Sequence, residues 1–310
     1  MSISDSSLVS LARSEVLPDA FLKRLRGAGP TSGDYASVTA LLHRLVGDPA
    51  KGLTDRRRSA IHSLIGELVT SPRTLLGHCY SKPRGYAGDF EIIDKIYTQH
   101  ASSDTVAGNW DRYFHSLEAP KAVRNRKGYL KAWLRRALER GDGPVRMLNL
   151  ASGPARDLAE FFEEFPRLSD RLVVDCVELD ADAIAHARNL LSGRDNVTFH
   201  HANVFRYRCP YAYDLMWSAG LFDYFDDSVF ERVTKRYLKA LAPGGEFVVG
   251  NFDCSNPSLP QMVLQDWILQ HRTGAQLQDL ARRAGANGKI AIHREAQGVN
   301  LFLHMESPDR

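Results

Sequence analysis

In the second half of the chain apolar residues fall in short unbroken runs. In the first half they recur at intervals of three and four. Val145, Met147, Leu148 and Leu150 form a run of the kind found in a strand buried on both faces. Leu172–Glu178, Asn196–His201, Asp214–Ser218 and Glu246–Gly250 repeat the pattern. Between them lie stretches of helical spacing: Arg156–Phe165 with Leu158, Phe161, Phe162 and Phe165, then Ala181–Leu191 and Ser228–Leu241. Two further helices are expected over Gln261–His271 and Gln276–Ala284, and a closing pair of strands over Lys289–Arg294 and Asn300–His304. Strands alternating with helices predict a Rossmann-like α/β sheet.

The first 140 residues read as helical. Tyr35–Leu45 and Arg56–Val69 carry apolar residues at helical spacing, with Asp34 and Thr54 or Asp55 as caps. Asp89 is placed to cap a helix whose apolar face is Phe90, Ile93, Ile96 and Tyr97. Residues 118–140 read as one long helix with Leu130, Trp133, Leu134, Ala137 and Leu138 on its apolar face. Gly141-Asp-Gly-Pro144 breaks it. The expected division is a helical domain over 1–140, serving substrate binding and as a lid, and an α/β domain over 141–310.

Charge refines this picture. The 310 residues carry a formal net charge of +3, which argues against nucleic acid as the main partner. Residues 1–140 hold 22 Lys/Arg against 14 Asp/Glu, and residues 141–310 hold 18 against 23. Within Lys121–Arg140 eight basic residues face one acid, either as a solvated helix face or as a site for an anionic substrate. Cys79, Cys176, Cys209 and Cys254 are scattered, without zinc spacing or a disulfide framework. No run of 18 apolar residues occurs and the N-terminus has no apolar leader core. The expectation is a cytoplasmic protein with no stable membrane insertion and no metal; a homodimer is one expected assembly.

The first strand ends in Ala151-Ser-Gly-Pro-Ala155, whose small side chains let a ligand approach the backbone. Pro154 suits the first turn of the helix that follows. Ligands of doubly wound sheets bind outside the carboxyl ends of strands. A dinucleotide fingerprint would place glycine at 151, 153 and 156, where this chain has Ala151, Gly153 and Arg156, and no Walker A sequence is present. Glu178, ending the second strand, is placed to accept hydrogen bonds from both hydroxyls of a ribose, with Asp180 as helix cap.

The first strand and its turn resemble motif I of class I S-adenosylmethionine-dependent methyltransferases, with Asn149 for the usual acid and Ala151 and Ala155 for two of three glycines. From about Val145 to His304 the chain resembles that superfamily, which implies strand order 3-2-1-4-5-7-6. The resemblance implies a cofactor site from Asn149, Ala151, Ser152, Gly153, Asp157, Glu178, Leu179, Asn203, Val204, Ser218 and Gly220. More narrowly, Lys82-Pro-Arg-Gly-Tyr-Ala-Gly-Asp89, Gly220-Leu-Phe-Asp-Tyr224 and Asp266-Trp-Ile-Leu-Gln-His-Arg272 resemble a bacterial group with a helical N-terminal domain that includes PhcB-like enzymes, linked to methyl-ester formation.

A sulfonium methyl is already electrophilic, so the protein must align a nucleophile with it and exclude water. A carboxylate needs no base at neutral pH; an alcohol or ammonium does. Candidate catalytic residues are His115, Asp223 and Tyr224. Candidate substrate contacts are Arg84, Tyr113, Arg124, Arg126, Asn251, Trp267 and Arg272, with Tyr86 reaching the cofactor from a glycine-containing loop. The expected activity is methyl transfer to a small, anionic acceptor. Transfer of another group, as in aminopropyl transferases, and a non-catalytic cofactor-binding regulator are the alternatives.

Overall fold

A computed structural model describes residues 19–309. The expectation drawn from the polar N-terminus lies outside them. The chain forms two compact units. One holds the residues up to Lys121 together with Pro257–Ile268; the other holds Ala122–Asn256 and the chain from Leu269 onward.

The first unit is helical: α1 (Asp19–Ala28), α2 (Tyr35–Val46), α3 (Asp55–Ile65), α4 (Leu75–Ser81), α5 (Phe90–Tyr97), α6 (Thr105–Ser116), the first residues of α7 (Glu118–Leu138), and an inserted helix, Leu259–Leu264. Thr54 caps α3 by accepting the Arg57 N–H. The helix expected over Arg56–Val69 stops at Ile65, because Gly66 turns to φ +116° and a short 3-10 turn follows. Asp34 does not cap α2; its carboxylate instead takes the Thr31 N–H (2.9 Å) and the Arg24 guanidinium (2.7 Å). The helix expected over Gln261–His271 ends at Leu264. Asp266, held by Arg58 (3.0 Å) and by Lys82, takes a left-handed backbone (φ +55°) that a right-handed helix cannot continue.

The second unit is built on a seven-stranded sheet of order β3-β2-β1-β4-β5-β7-β6, the order that the resemblance implies. The strands are β1 (Val145–Leu150), β2 (Leu172–Glu178), β3 (Val197–His201), β4 (Tyr213–Ala219), β5 (Leu241–Phe252), β6 (Ile290–Arg294) and β7 (Asn300–Glu306). All pairs from β3 to β5 are parallel; β7 runs antiparallel to β5 and β6. In β5 the register shifts beside Ala242-Pro-Gly-Gly245, the turn foreseen before the strand. Helices α8 (Arg156–Glu164), α9 (Pro166–Ser169), α10 (Ala181–Leu190), α11 (Asp227–Leu238) and α12 (Gly274–Arg283) cover the faces.

Alternation along the strands divides the core. Met147, Val174, Trp217 and Phe302 pack with Leu130, Trp133 and Leu134 of α7 and Phe161 and Phe162 of α8. Leu148, Leu150, Met216 and Phe247 pack with Phe230 and Tyr237 of α11 and Leu277 and Leu280 of α12. Each large buried side chain contributes about 1.5–3 kcal/mol relative to exposure. With both faces covered, the strands leave only their carboxyl ends for chemistry.

Candidate cofactor and acceptor site

The turn after β1 has left-handed backbone at alternate positions: Ala151 (φ +53°), Gly153 (φ +54°) and Ala155 (φ +48°). For the two alanines this costs about 1–2 kcal/mol each. The chain therefore keeps, with alanine, the backbone path that glycine would give without strain. Pro154 lies in this turn, outside α8, because left-handed Ala155 is the residue from which the helix starts. No atom lies within 4 Å of a Cβ built on Gly153, so its backbone faces open space.

Glu178 joins this turn to β2. Its Oε2 accepts the Gly153 N–H (2.9 Å), and its Oε1 accepts the N–H groups of Leu179 (2.7 Å) and Asp180 (3.0 Å). The next side chain, Leu179, is 60% exposed although apolar. Asp180 caps α10 by accepting the N–H groups of Asp182 and Ala183. After β3, Asn203 accepts the Phe205 N–H (2.8 Å) and the Val204 carbonyl accepts the Tyr237 hydroxyl (2.7 Å). Phe205 is exposed and packs against Phe225. It was absent from the expected site; an aromatic directly after Val204 was the available signal.

Ser218 is fully buried and donates to the Leu150 carbonyl (3.1 Å), binding β4 to β1. Asn149, next to the last residue of β1, is buried too. Gly220 follows β4 with φ +115°, and a Cβ there would meet Arg126 Nη1 at 2.9 Å. The buried Arg126 guanidinium thus lies against the turn after β4. Its charge also acts on two buried carboxyls, Asp157 on α8 and Asp223 in the same turn. Burial pushes each from 3.8 up to about 6, a rise that Arg126 moderates. Asp223 is 1% exposed and its Oδ1 accepts the Phe252 N–H (2.7 Å). Tyr224 beside it is exposed.

Arg124 does not share this position. It lines a hollow of about 440 Å³ with Lys127, Lys131, Glu160, Arg294 and Glu295. Arg272 is buried and fixes the turn: it donates to Asp227 (2.9 Å), Asn251 Oδ1 (3.0 Å) and the carbonyls of Phe222 (3.3 Å) and Phe225 (2.5 Å). The Asn251 amide in turn donates to the Phe252 and Gln270 carbonyls, both at 2.9 Å. Arg272 and Asn251 hold the site's wall in shape.

The other expected residues belong to the helical unit. His115 is buried and its Nε2 contacts the His100 carbonyl (2.8 Å). The Tyr113 hydroxyl is 3.1 Å from Thr39 Oγ1, and Trp267 is buried. Arg84 lies 4.4 Å over the Phe90 ring, and Tyr86 is 38% exposed. Their loop is held at both ends, by Lys82 on Asp266 and by the fully buried Asp89, which accepts the Ile92 N–H (2.9 Å) and contacts His78 Nε2.

Residues 147–245 match the model of the methyltransferase domain family. The matched stretch, within the sheet-bearing unit, is a methyltransferase domain of the S-adenosylmethionine-dependent kind. In fold, the chain is similar to a protein of Bordetella parapertussis described as a possible exported protein (TM-score 0.59, 20% identity, covering 89% of this chain and 96% of that one). It is also similar to the CMeT domain of the citrinin polyketide synthase (TM-score 0.55, 13% identity, 88% and 66% covered). At these identities the likeness bears on fold alone. No curated protein matches by sequence, and none of these comparisons singles out the PhcB-like group.

The methyltransferase's residues fit its cofactor. Glu178 is a carboxylate acceptor of the kind a ribose diol requires, and Leu179 and Phe205 are exposed apolar side chains of the kind a flat base packs on. Gly153 leaves its backbone approachable. Among the described residues no helix is long and apolar enough to cross a membrane.

Proposed function

We propose that the enzyme methylates a small-molecule acceptor carrying an anionic group, most simply on a carboxylate oxygen. The observation that carries this reading is the state of Asp223. It is the acid nearest the turn after β4, yet it is buried and its Oδ1 is engaged by the Phe252 N–H. His115, another of the acid–base candidates, is buried with its Nε2 on the His100 carbonyl. A nucleophile that arrives ionised needs neither.

S-adenosylmethionine supplies an electrophilic methyl group when bound. The chain's own residues hold and orient: Glu178 the ribose, the 151–155 turn the amino-acid portion, Arg126 an anion beside Gly220, and Tyr224 the acceptor. The helical unit serves substrate binding, with Tyr86 and Arg84 on its glycine-containing loop. Alanine in place of two motif I glycines does not by itself favour a non-catalytic protein, because Ala151 and Ala155 keep the left-handed backbone.

Asp223→Asn tests the reading, since asparagine can still accept the Phe252 N–H. Base-free transfer predicts kcat within about tenfold of wild type, whereas loss of a general base costs about 10²–10⁴-fold. The product should be a methyl ester cleaved by mild alkali. An alkali-stable product, or loss of kcat in the higher range, would count against carboxylate methylation.

A further inference from the structure

The hollow lined by Arg124 lies entirely within the sheet-bearing unit and has no part in the function proposed above. It encloses about 440 Å³. Its floor is α7. One wall is Glu160 of α8, and the other is formed by Arg294, Glu295 and Ala296, where β6 ends and turns towards β7.

Part of the basic stripe on α7 is explained by pairing between helices. Lys127 contacts Glu160 (2.5 Å), and Lys131 contacts Glu160 (3.1 Å) and Glu164 (2.5 Å). Gly128 is not explained in that way. It stands in the middle of a 21-residue helix, where glycine is less stable than alanine because it loses more conformational freedom on folding. No atom lies within 4 Å of a Cβ built there, so no neighbour excludes a side chain. The glycine's effect is to keep the floor of the hollow bare.

Around that floor the hydrogen-bonding groups are weighted towards donors. Glu295 accepts from Asn125 Nδ2 (2.7 Å) and from the N–H groups of Gln297 (2.7 Å), Val299 (2.7 Å) and Asn300 (3.1 Å), two on each oxygen, which fills its capacity. Glu160 is shared between two ammoniums. Lys131 has three N–H groups for two carboxylate partners. Arg294 has five, and uses them on Asp253 (3.2 Å) and the Gly298 carbonyl (3.0 Å). Glu164 and Asp253, standing behind the lining, balance the charge of the four cations, so selection rests on the surplus of N–H donors. Burial lowers the pKa of Arg124, and an anion beside it would oppose that shift.

We infer that this hollow binds a phosphate group, free or carried by a small molecule. Phosphate brings only acceptors at neutral pH beyond its last proton, offers more of them than a carboxylate, and matches the fork of a guanidinium. The site is separate from the one at Gly220, because Arg126 does not line the hollow.

The test uses the full chain with S-adenosylhomocysteine bound, which occupies the cofactor site, and titrates in three probes by calorimetry: inorganic phosphate, glycerol 3-phosphate and glycerol. Both phosphates should bind and glycerol should not. Arg124→Gln and Arg294→Gln should each weaken binding at least about tenfold, the loss of a charge-assisted bond, while Arg126→Ala should leave it within about twofold. Gly128→Leu, which fills the floor, should abolish phosphate binding and leave S-adenosylhomocysteine affinity unchanged, with circular dichroism showing the fold intact. Tighter binding of glycerol 3-phosphate than of phosphate would assign the hollow to a phosphorylated small molecule, and equal binding to phosphate alone; either supports the site. Failure of both phosphates to bind, undiminished binding in Gly128→Leu, or loss of binding in Arg126→Ala in place of Arg124→Gln would overturn it.

Discussion

The Gly153 backbone N–H donates to the Glu178 carboxylate at 2.9 Å. That one bond joins the turn after β1 to the end of β2, the two features most specific for cofactor binding. The carboxylate also accepts the N–H groups of Leu179 and Asp180, so it is oriented before any ligand arrives. Preorganisation of this kind lowers the cost of binding.

Ala151 carries left-handed strain that glycine would not. Ala151→Gly should therefore be neutral to stabilising, by up to about 1 kcal/mol, because relief of strain exceeds the added flexibility of the unfolded chain. Cofactor affinity should stay the same. Thermal denaturation with calorimetry checks both; a clear loss of stability would mean that the turn is not held as described.

Asp157 and Asp223 have native pKa values near 6, above their usual 3.8. A carboxyl whose pKa rises on folding binds its proton more tightly in the native state. Its contribution to stability is then full below pH 4 and is lost as pH climbs through 6. Asp157→Asn should flatten the stability profile between pH 4 and 6.5 and raise relative stability at pH 8. Denaturant titrations across that range decide; an unchanged slope would place the group in an ordinary solvated state.

Arg126 and Arg124 are two residues apart on one helix, yet only Arg126 reaches Gly220. Arg126→Ala should raise KM for an anionic acceptor at least about tenfold, the loss of a charge-assisted bond, and Arg124→Ala should leave it near wild type. Equal effects of the two substitutions would contradict this. An unchanged KM with weakened cofactor binding would assign Arg126 to the cofactor's own carboxylate.

Asp89 caps α5 and contacts His78 while fully buried, so Asp89→Ala should cost about 2–4 kcal/mol, more than a cap alone. Tyr86, on the loop that Asp89 anchors, should be protected from limited proteolysis when S-adenosylmethionine is added. Tyr86→Ala should lose that protection and most turnover. A loop cleaved equally with and without cofactor, in a variant of normal activity, would make it a plain connector.

The sheet was legible in the sequence because strands buried on both faces must be continuously apolar, as Val145–Leu150 and Leu172–Glu178 are. Glu178 was legible for the opposite reason: an acid at the end of such a run has no place in a core. The end of the inserted helix was not legible. Asp266 stops it through Arg58 and Lys82, residues about two hundred positions away, and local spacing carries no trace of such partners. The parts taken by Arg272 and Asn251 were hidden likewise. Both had the chemistry of substrate contacts, and only the fold shows their donors engaged by the Phe222, Phe225 and Gln270 carbonyls.

The central claim is that Glu178 anchors S-adenosylmethionine at the carboxyl edge of β2, and calorimetric titration of the cofactor into wild type and Glu178→Ala tests it most directly. Removing a charge-assisted acceptor should weaken binding by about 1.5–3 kcal/mol, roughly tenfold or more in Kd, with circular dichroism showing the variant folded. A folded Glu178→Ala protein that binds S-adenosylmethionine as tightly as wild type would contradict the account.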